Sequence, residues 1–448
     1  MEWLFQIAHA TSSRRVDRLS GRFHPRFVAC ITLLALAACT SMTRLAAVPS
    51  DLKDEARPDG VPGVRFYPQR FSDPSAPLRE SALRPASFDG SEVRVSRDTA
   101  VGCDLLAVSA GGDRGAFAAG LLNGWSQTGT RPRFSVVTGV SVGALIAPFA
   151  FLGPSYDHVL REVTLSGGPG KFFRRRSSIS GFLGDGFASS EPLERLLATY
   201  VTAKVLQEIA NEYRHGRDLY IMTTDLDAGI PVIWNMGAIA ASDSPYALAL
   251  FRQVMRASAA IPVVVSPVFI NATAAGRQFQ ELHVDGSVAH QVFLYPYSEP
   301  LPAAGDPTGS CRAFIIMNTQ FDSNSSSTPR RTLGIGERAM QTLTRVEAST
   351  DVDRIFEALQ RQRFDFNLAY IDSDFQIAHP RDFDESYMRA LYDYGQQLGS
   401  RSNRWHDMPP QPQWTMRLLT QEPSRLPVDD YSAALRNGVS GLGAGGDR

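Results

Sequence analysis

The stretch Phe134–Leu152, FSVVTGVSVGALIAPFAFL, decides the fold. Its first seven residues, FSVVTGV, suit a buried strand, and Val142–Leu152 suits an apolar helix. Gly139-Val140-Ser141-Val142-Gly143 lies across the junction. At average usage a G-x-S-x-G arises by chance about 0.15 times in a chain of this size, so five letters alone decide little. Their context decides more, because a serine on a tight strand-to-helix turn is the arrangement of a nucleophile elbow. Flanking glycines relieve backbone clashes there, and the helix N-terminus favours developing negative charge. A serine that merely caps the helix is the competing explanation.

The strand–helix alternation extends in both directions. Upstream, Cys103–Ser109 (CDLLAVS) predicts a buried strand and Gly115–Trp125 a helix. Downstream, Asp218–Thr224, Leu282–Val284 and Ala313–Asn318 predict strands. Glu191–Tyr200, Ala203–Tyr213 and Leu248–Ala259 predict helices between them. Strands alternating with helices imply an α/β/α sandwich of three layers around a mainly parallel sheet. Residues from about Arg330 onward, with Ile335–Gln360 and Glu385–Leu398 as the clearest segments, predict a helical C-terminal extension. The expected division is 100–328 for the catalytic domain, 329–437 for the extension and 438–448 for a Gly-rich, disordered tail.

The first strand runs into Ser109-Ala110-Gly111-Gly112-Asp113-Arg114-Gly115. Successive glycines let backbone N–H groups converge on an anion. The loop lacks the Gly-Lys-Ser/Thr ending of a nucleotide-binding loop, which leaves an oxyanion hole for chemistry at Ser141 as the better use.

In this order the segments resemble the patatin-like phospholipase family, across about residues 102–318. The glycine loop is similar to its Gly-Gly-Gly-x-Arg-Gly motif, and the elbow to its Gly-x-Ser-x-Gly. Leu183–Leu197, Thr223–Pro231 and Ala257–Val268 are similar to its connecting segments, and Val284-Asp285-Gly286 to its Asp-Gly motif. The resemblance implies a lipid acyl hydrolase with Ser141 as nucleophile and Asp285 as base. Gly111, Gly112 and Asp113 would form the oxyanion hole, with Arg114, Gly115, Gly139, Gly143 and Gly286 as motif support. Ala110 and Ser287 depart from the family pattern without removing a reacting group. The four cysteines show no C-x-x-C spacing, so no zinc site is indicated, and neither cofactor nor metal is expected. An acyltransferase would show the same motifs, and a membrane-tethered binding or assembly platform is the alternative of a different class.

An aspartate is an uncommon sole base for serine, since its free pKa is about 3.9. His283, His290 and His379 are therefore candidates for a third member. Asp225 and Asp227 form a D-x-D better suited to a turn than to a metal, and Arg174-Arg175-Arg176 suits a solvated face that could meet lipid headgroups.

The chain carries 43% hydrophobic and 20% charged residues, which suits a folded globular protein. A net charge of -1 over 448 residues argues against nucleic acid as partner. At the N-terminus, Arg14, Arg15, Arg18, Arg22 and Arg26 precede an apolar run, Phe27–Ala38, that ends at Cys39. This is the form of a secretory signal over residues 1–38, and Leu36-Ala37-Ala38-Cys39 resembles a bacterial lipobox. The expectation is an exported lipoprotein acylated on Cys39, with the outer membrane favoured because Thr40 is not Asp. The Pro- and Ser-rich residues 39–99 would be a tether or a loosely packed arm. Cys103 and Cys311 could pair in an oxidising compartment. Substrate head group and chain length, membrane face and oligomeric state stay open.

Overall fold

The computed structural model describes residues 44–68, 103–165, 169–176, 185–294, 311–321, 328 and 330–410. The leader, Cys39, residues 69–99 of the expected tether and the C-terminal tail lie outside the described residues.

The strands of the main sheet are β1 (Arg57–Pro58), β2 (Arg65–Phe66), β3 (Asp104–Val108) and β4 (Val136–Val140). A two-stranded ribbon follows, β5 (Arg174–Arg175) with β6 (Ala188–Ser189). The main sheet continues with β7 (Asp218–Asp225), β8 (Ile230–Asn235), β9 (Val268–Ala274), β10 (Arg277–Asp285), β11 (Arg312–Met317) and β12 (Asp365–Tyr370). Its centre is parallel, in the order β7-β4-β3-β11-β12. β7 is shared: its first five residues pair with β4, its last three with antiparallel β10, and β8 pairs along it from Tyr220 to Asp225.

Both faces of this sheet are covered, and the side chains sort by alternation. Leu106, Val108, Leu219, Ile221, Phe314 and Ile316 join one core cluster. Leu105, Ala107, Tyr220, Met222, Ala313 and Ile315 join the other. Against the first cluster lie α1 (Gly115–Gln127), α2 (Val142–Leu152), α3 (Asp157–Leu165), α4 (Pro169–Phe172), α5 (Glu191–Tyr200), α6 (Ala203–Arg214), α7 (Met236–Ala241) and α8 (Ala247–Ser258). The opposite face is covered by Ala348, Val352, Ile355 and Leu359 of α9 (Thr332–Gln362), with Val292–Leu294. The result is the expected three-layer α/β/α arrangement.

Two expectations about organisation need correction. Residues 44–68 are built into the sheet: β1 pairs with β9, β2 pairs with β8, and Val48, Val61 and Val64 are buried. Their low periodicity reflects two-residue strands, too short to alternate visibly. The C-terminal extension is likewise part of the body, because β12 adds a parallel strand beside β11. After β12, α10 (Glu385–Gly399) lies along α1 at backbone contact. A Cβ on Gly120 would come 2.0 Å from the Tyr392 carbonyl, and one on Gly395 would come 2.3 Å from that of Phe117. Cys103 and Cys311, 208 residues apart, form a disulfide that joins the starts of β3 and β11.

Candidate active site

The elbow and the glycine loop follow the carboxyl ends of the parallel strands β4 and β3, and antiparallel β10 brings Asp285 to the same place beside β7. β4 ends at Val140, and Ser141 takes φ 56°, ψ −120° before α2 begins. A positive φ on a non-glycine residue is costly and needs support. Support comes from Ser258, whose hydroxyl accepts the Ser141 N–H at 2.9 Å and donates to the Met222 carbonyl at 2.7 Å. The turn is tight enough to require its glycines: a Cβ on Gly139 would lie 2.4 Å from the Gly143 carbonyl, and one on Gly143 would lie 2.2 Å from that of Val108.

Ser141 Oγ donates to Asp285 Oδ2 at 2.7 Å, and both residues are buried. Asp285 ends β10, where its other oxygen accepts the Ser287 N–H at 2.8 Å. Its backbone is pinned on both sides, N–H to the Ala260 carbonyl and carbonyl to the Thr224 hydroxyl. Burial pushes the Asp285 carboxyl up to about 6, against the lowering effect of the Ser141 and Ser287 hydrogen bonds. Ser287, a departure from the motif, therefore supplies through its N–H a bond that holds the carboxylate.

The glycine loop lies beside them. Gly111 packs against Asn318 so closely that a Cβ would come 2.5 Å from the asparagine Cβ. Gly112, at φ 59°, and Asp113 line a cleft with Ser141. Gly115, at the start of α1, faces Val142 of the elbow, where a Cβ would meet a methyl at 2.3 Å. The Asp113 carboxylate accepts from His379 Nε2 and from the Phe383 N–H, each at 2.7 Å. Sequence reasoning missed Ser258, Asn318 and Phe383; a lone serine, asparagine or phenylalanine carries no signal without the fold that delivers it.

The cleft beside Ser141 is partly open to solvent and predominantly apolar, with Leu145, Val163, Phe172, Phe173, Phe383 and Met388 among its walls. Such a lining suits a hydrocarbon chain, with Asp113 and Ser141 sharing the walls.

The three histidine candidates are held elsewhere. His283 Nδ1 contacts the Thr223 hydroxyl at 3.0 Å, inside a buried cluster. His290 contacts Asp351 at 2.8 Å. With Glu347 these two place their donor atoms within 4.8 Å of one another, and Arg354 stands 3.7–3.9 Å from the two carboxylates as counter-charge. His379 serves the glycine loop. Asp225 and Asp227 bind Lys53 and Arg44 and close the β7–β8 turn, with the Asp225 carboxylate accepting the Asp227 N–H. Arg174 and Arg176 pair with Glu191 and Asp185.

Residues 106–296 match the family model of the patatin-like phospholipases. The chain carries a patatin-like phospholipase domain. Among solved structures, VipD from Legionella pneumophila is similar at 15% identity and a TM-score of 0.33, over 67% of each chain. The type III effector protein ExoU is similar at 14% identity and 0.21, over 69% of this chain and 55% of its own. At these scores neither likeness bears on function. No curated protein matches the chain. The patatin-like domain ends before β11, so the last two parallel strands and α9 and α10 lie beyond the matched residues.

Proposed function

We propose that the protein hydrolyses carboxylic esters of lipids through a Ser141–Asp285 dyad. The observation that carries this is the 2.7 Å hydrogen bond between a strained serine that lines an apolar cleft and a buried carboxylate. Ser141 Oγ attacks the ester carbon while its proton passes to Asp285. The carbonyl oxygen becomes an oxyanion, stabilised by N–H groups of Gly111 and Gly112, with Asp113 beside them, and by the α2 N-terminus. The C–O bond to the alcohol then breaks, and Asp285 returns the proton to the departing oxygen. Acyl-Ser141 is cleared by water, with Asp285 again taking the proton and passing it back to the serine. A carboxyl near 6 is ionised at neutral pH yet a better base than a free aspartate, which offsets the absence of an imidazole at this position.

Export followed by acylation of Cys39 belongs to the same proposal. It is supported by the Leu-Ala-Ala-Cys sequence and by the Cys103–Cys311 disulfide, which suits an oxidising compartment. Among the described residues no helix is long and apolar enough to cross a membrane.

The test is covalent labelling by a fluorophosphonate alongside turnover of a phospholipid and a short-chain ester. Labelling that maps to Ser141, together with ester hydrolysis, supports the proposal. A folded protein that neither labels nor turns over any ester overturns it and leaves the platform alternative.

A further inference from the structure

The long helix α9 changes sides along its length. At about 100° per residue, Ala348, Val352, Ile355 and Leu359 share one face, which is buried on the sheet. In the N-terminal half Ile335, Ala339, Leu343 and Val346 fall within about 80° of one another, on nearly the opposite side of the helix, and all are exposed. Ile335, Leu343 and Val346 are each more than half exposed, and so is Met340 nearby. Arg338 and Arg345, seven residues apart, lie on one flank of this apolar arc, and Arg331 stands at the N-cap just before it. A continuation of the core would have kept its face. This half of the helix instead has the amphipathic form of a surface-lying segment, apolar on one side and basic beside it.

Its place in the fold matters as much as its pattern. β11 and β12 are parallel, so α9 must start at the carboxyl edge of the sheet, where Ser141 opens, and run back to the amino edge. Asp351 ties the middle of the helix to the backbone N–H groups of Gln291 and Val292, just after the Asp285 segment. Arg345 is close enough to Arg114 of the glycine loop for that charge to depress its pKa, after burial and Arg338. Val288, three residues after Asp285, is half exposed. Arg44 pairs with Asp227 beyond the carboxyl end of β7, and Arg44 is five residues from Cys39. Five residues reach at most about 18 Å, so the acylation proposed above would hold this same edge close to a membrane.

We infer that the N-terminal half of α9 docks on an anionic lipid bilayer and turns the mouth of the cleft toward it. The inference rests on the lipid-hydrolase proposal for its purpose, but its binding step does not depend on catalysis.

The experiment uses the chain from Thr40 onward, which holds the whole described body without leader or anchor. Binding to phosphatidylglycerol-rich and to pure phosphatidylcholine vesicles is measured by co-sedimentation, with short-ester turnover followed in parallel. The variants are Leu343→Ser with Val346→Ser, and Arg331→Gln with Arg338→Gln. Each arginine removed is expected to weaken binding to the anionic vesicles about fivefold, and the serine pair at least tenfold. Short-ester turnover stays within twofold and vesicle phospholipid hydrolysis falls in step with binding. Unchanged vesicle binding in both pairs overturns the inference. So does a parent chain that ignores vesicles and self-associates through this stripe, as shown by dissociation of the serine pair in sedimentation velocity. Stripe-dependent binding without any ester turnover would sustain the docking and sink the hydrolase proposal.

Discussion

Glu281 and Asp285 stand four residues apart on β10, both wholly buried, and their surroundings treat them in opposite ways. Burial raises the Glu281 carboxyl, but His283 and Arg65 outweigh it and hold the group down at about 2. Arg65 meets it with both guanidinium nitrogens, and Arg65 is itself buried over the Trp234 ring. Asp285 has no such cation among its hydrogen-bond partners; burial outweighs the bonds from Ser141 and Ser287 and leaves it at about 6. A paired buried carboxylate locks structure, here fastening the N-terminal arm to the sheet. A buried carboxylate without a cation keeps its basicity, which is what the proposed role of Asp285 requires.

The comparison can be broken at several points. Ser141→Ala is the largest: ester turnover should fall at least about 10⁴-fold with the fold retained, read by turnover and circular dichroism together. Gly111→Ala comes next, because the added methyl meets Asn318 and re-aims the N–H groups; kcat should drop about 10²–10³-fold. Glu281→Gln leaves the Arg65 charge buried and unpaired. It should lower unfolding free energy by about 3–5 kcal/mol in urea melts, while turnover per folded molecule stays near wild type. Reducing the Cys103–Cys311 disulfide should cost about 2–4 kcal/mol in the same assay without touching the site.

The smallest expected effect is in pH, and its sign separates the two carboxylates. Asp285 must be ionised to accept a proton, so kcat/KM should rise as pH climbs through about 6 and level off above it. Its effect on stability runs the other way. With a folded pKa above the unfolded one, the folded state binds more protons between about 4 and 6, so Asp285 favours folding increasingly as pH falls through that window. Glu281 is depressed, so its stabilisation is complete above its unfolded value of 4.5 and is lost as pH falls toward about 2.

The parallel strands and the elbow were legible in the sequence because buried strands read as continuous apolar runs and the serine lies between glycines. Ser141, Asp285 and the Gly111-Gly112 pair could be placed from motif order. β8 and β9 were not read as strands: their runs abut turn residues and begin where the segments whose resemblance suggested connections end. The Arg65–Glu281–His283 cluster was illegible for a different reason, since Arg65 lies 216 residues before Glu281 and alone looks like a surface residue. The joining of α10 to α1 was hidden too. Gly120 and Gly395 weaken a helical pattern in sequence, yet they let the two helices meet at backbone contact.

The most direct test of the central claim is Asp285→Asn, with acylation rate and stability measured on one preparation at pH 7. Acylation of the serine should fall at least about 10²-fold, because the amide cannot take the proton. Stability should rise by about 1–3 kcal/mol, because the variant no longer buries an ionised group that lacks a cation. A variant that acylates at the wild-type rate, or that is destabilised like Glu281→Gln, would show Asp285 to be a structural carboxylate and contradict the account.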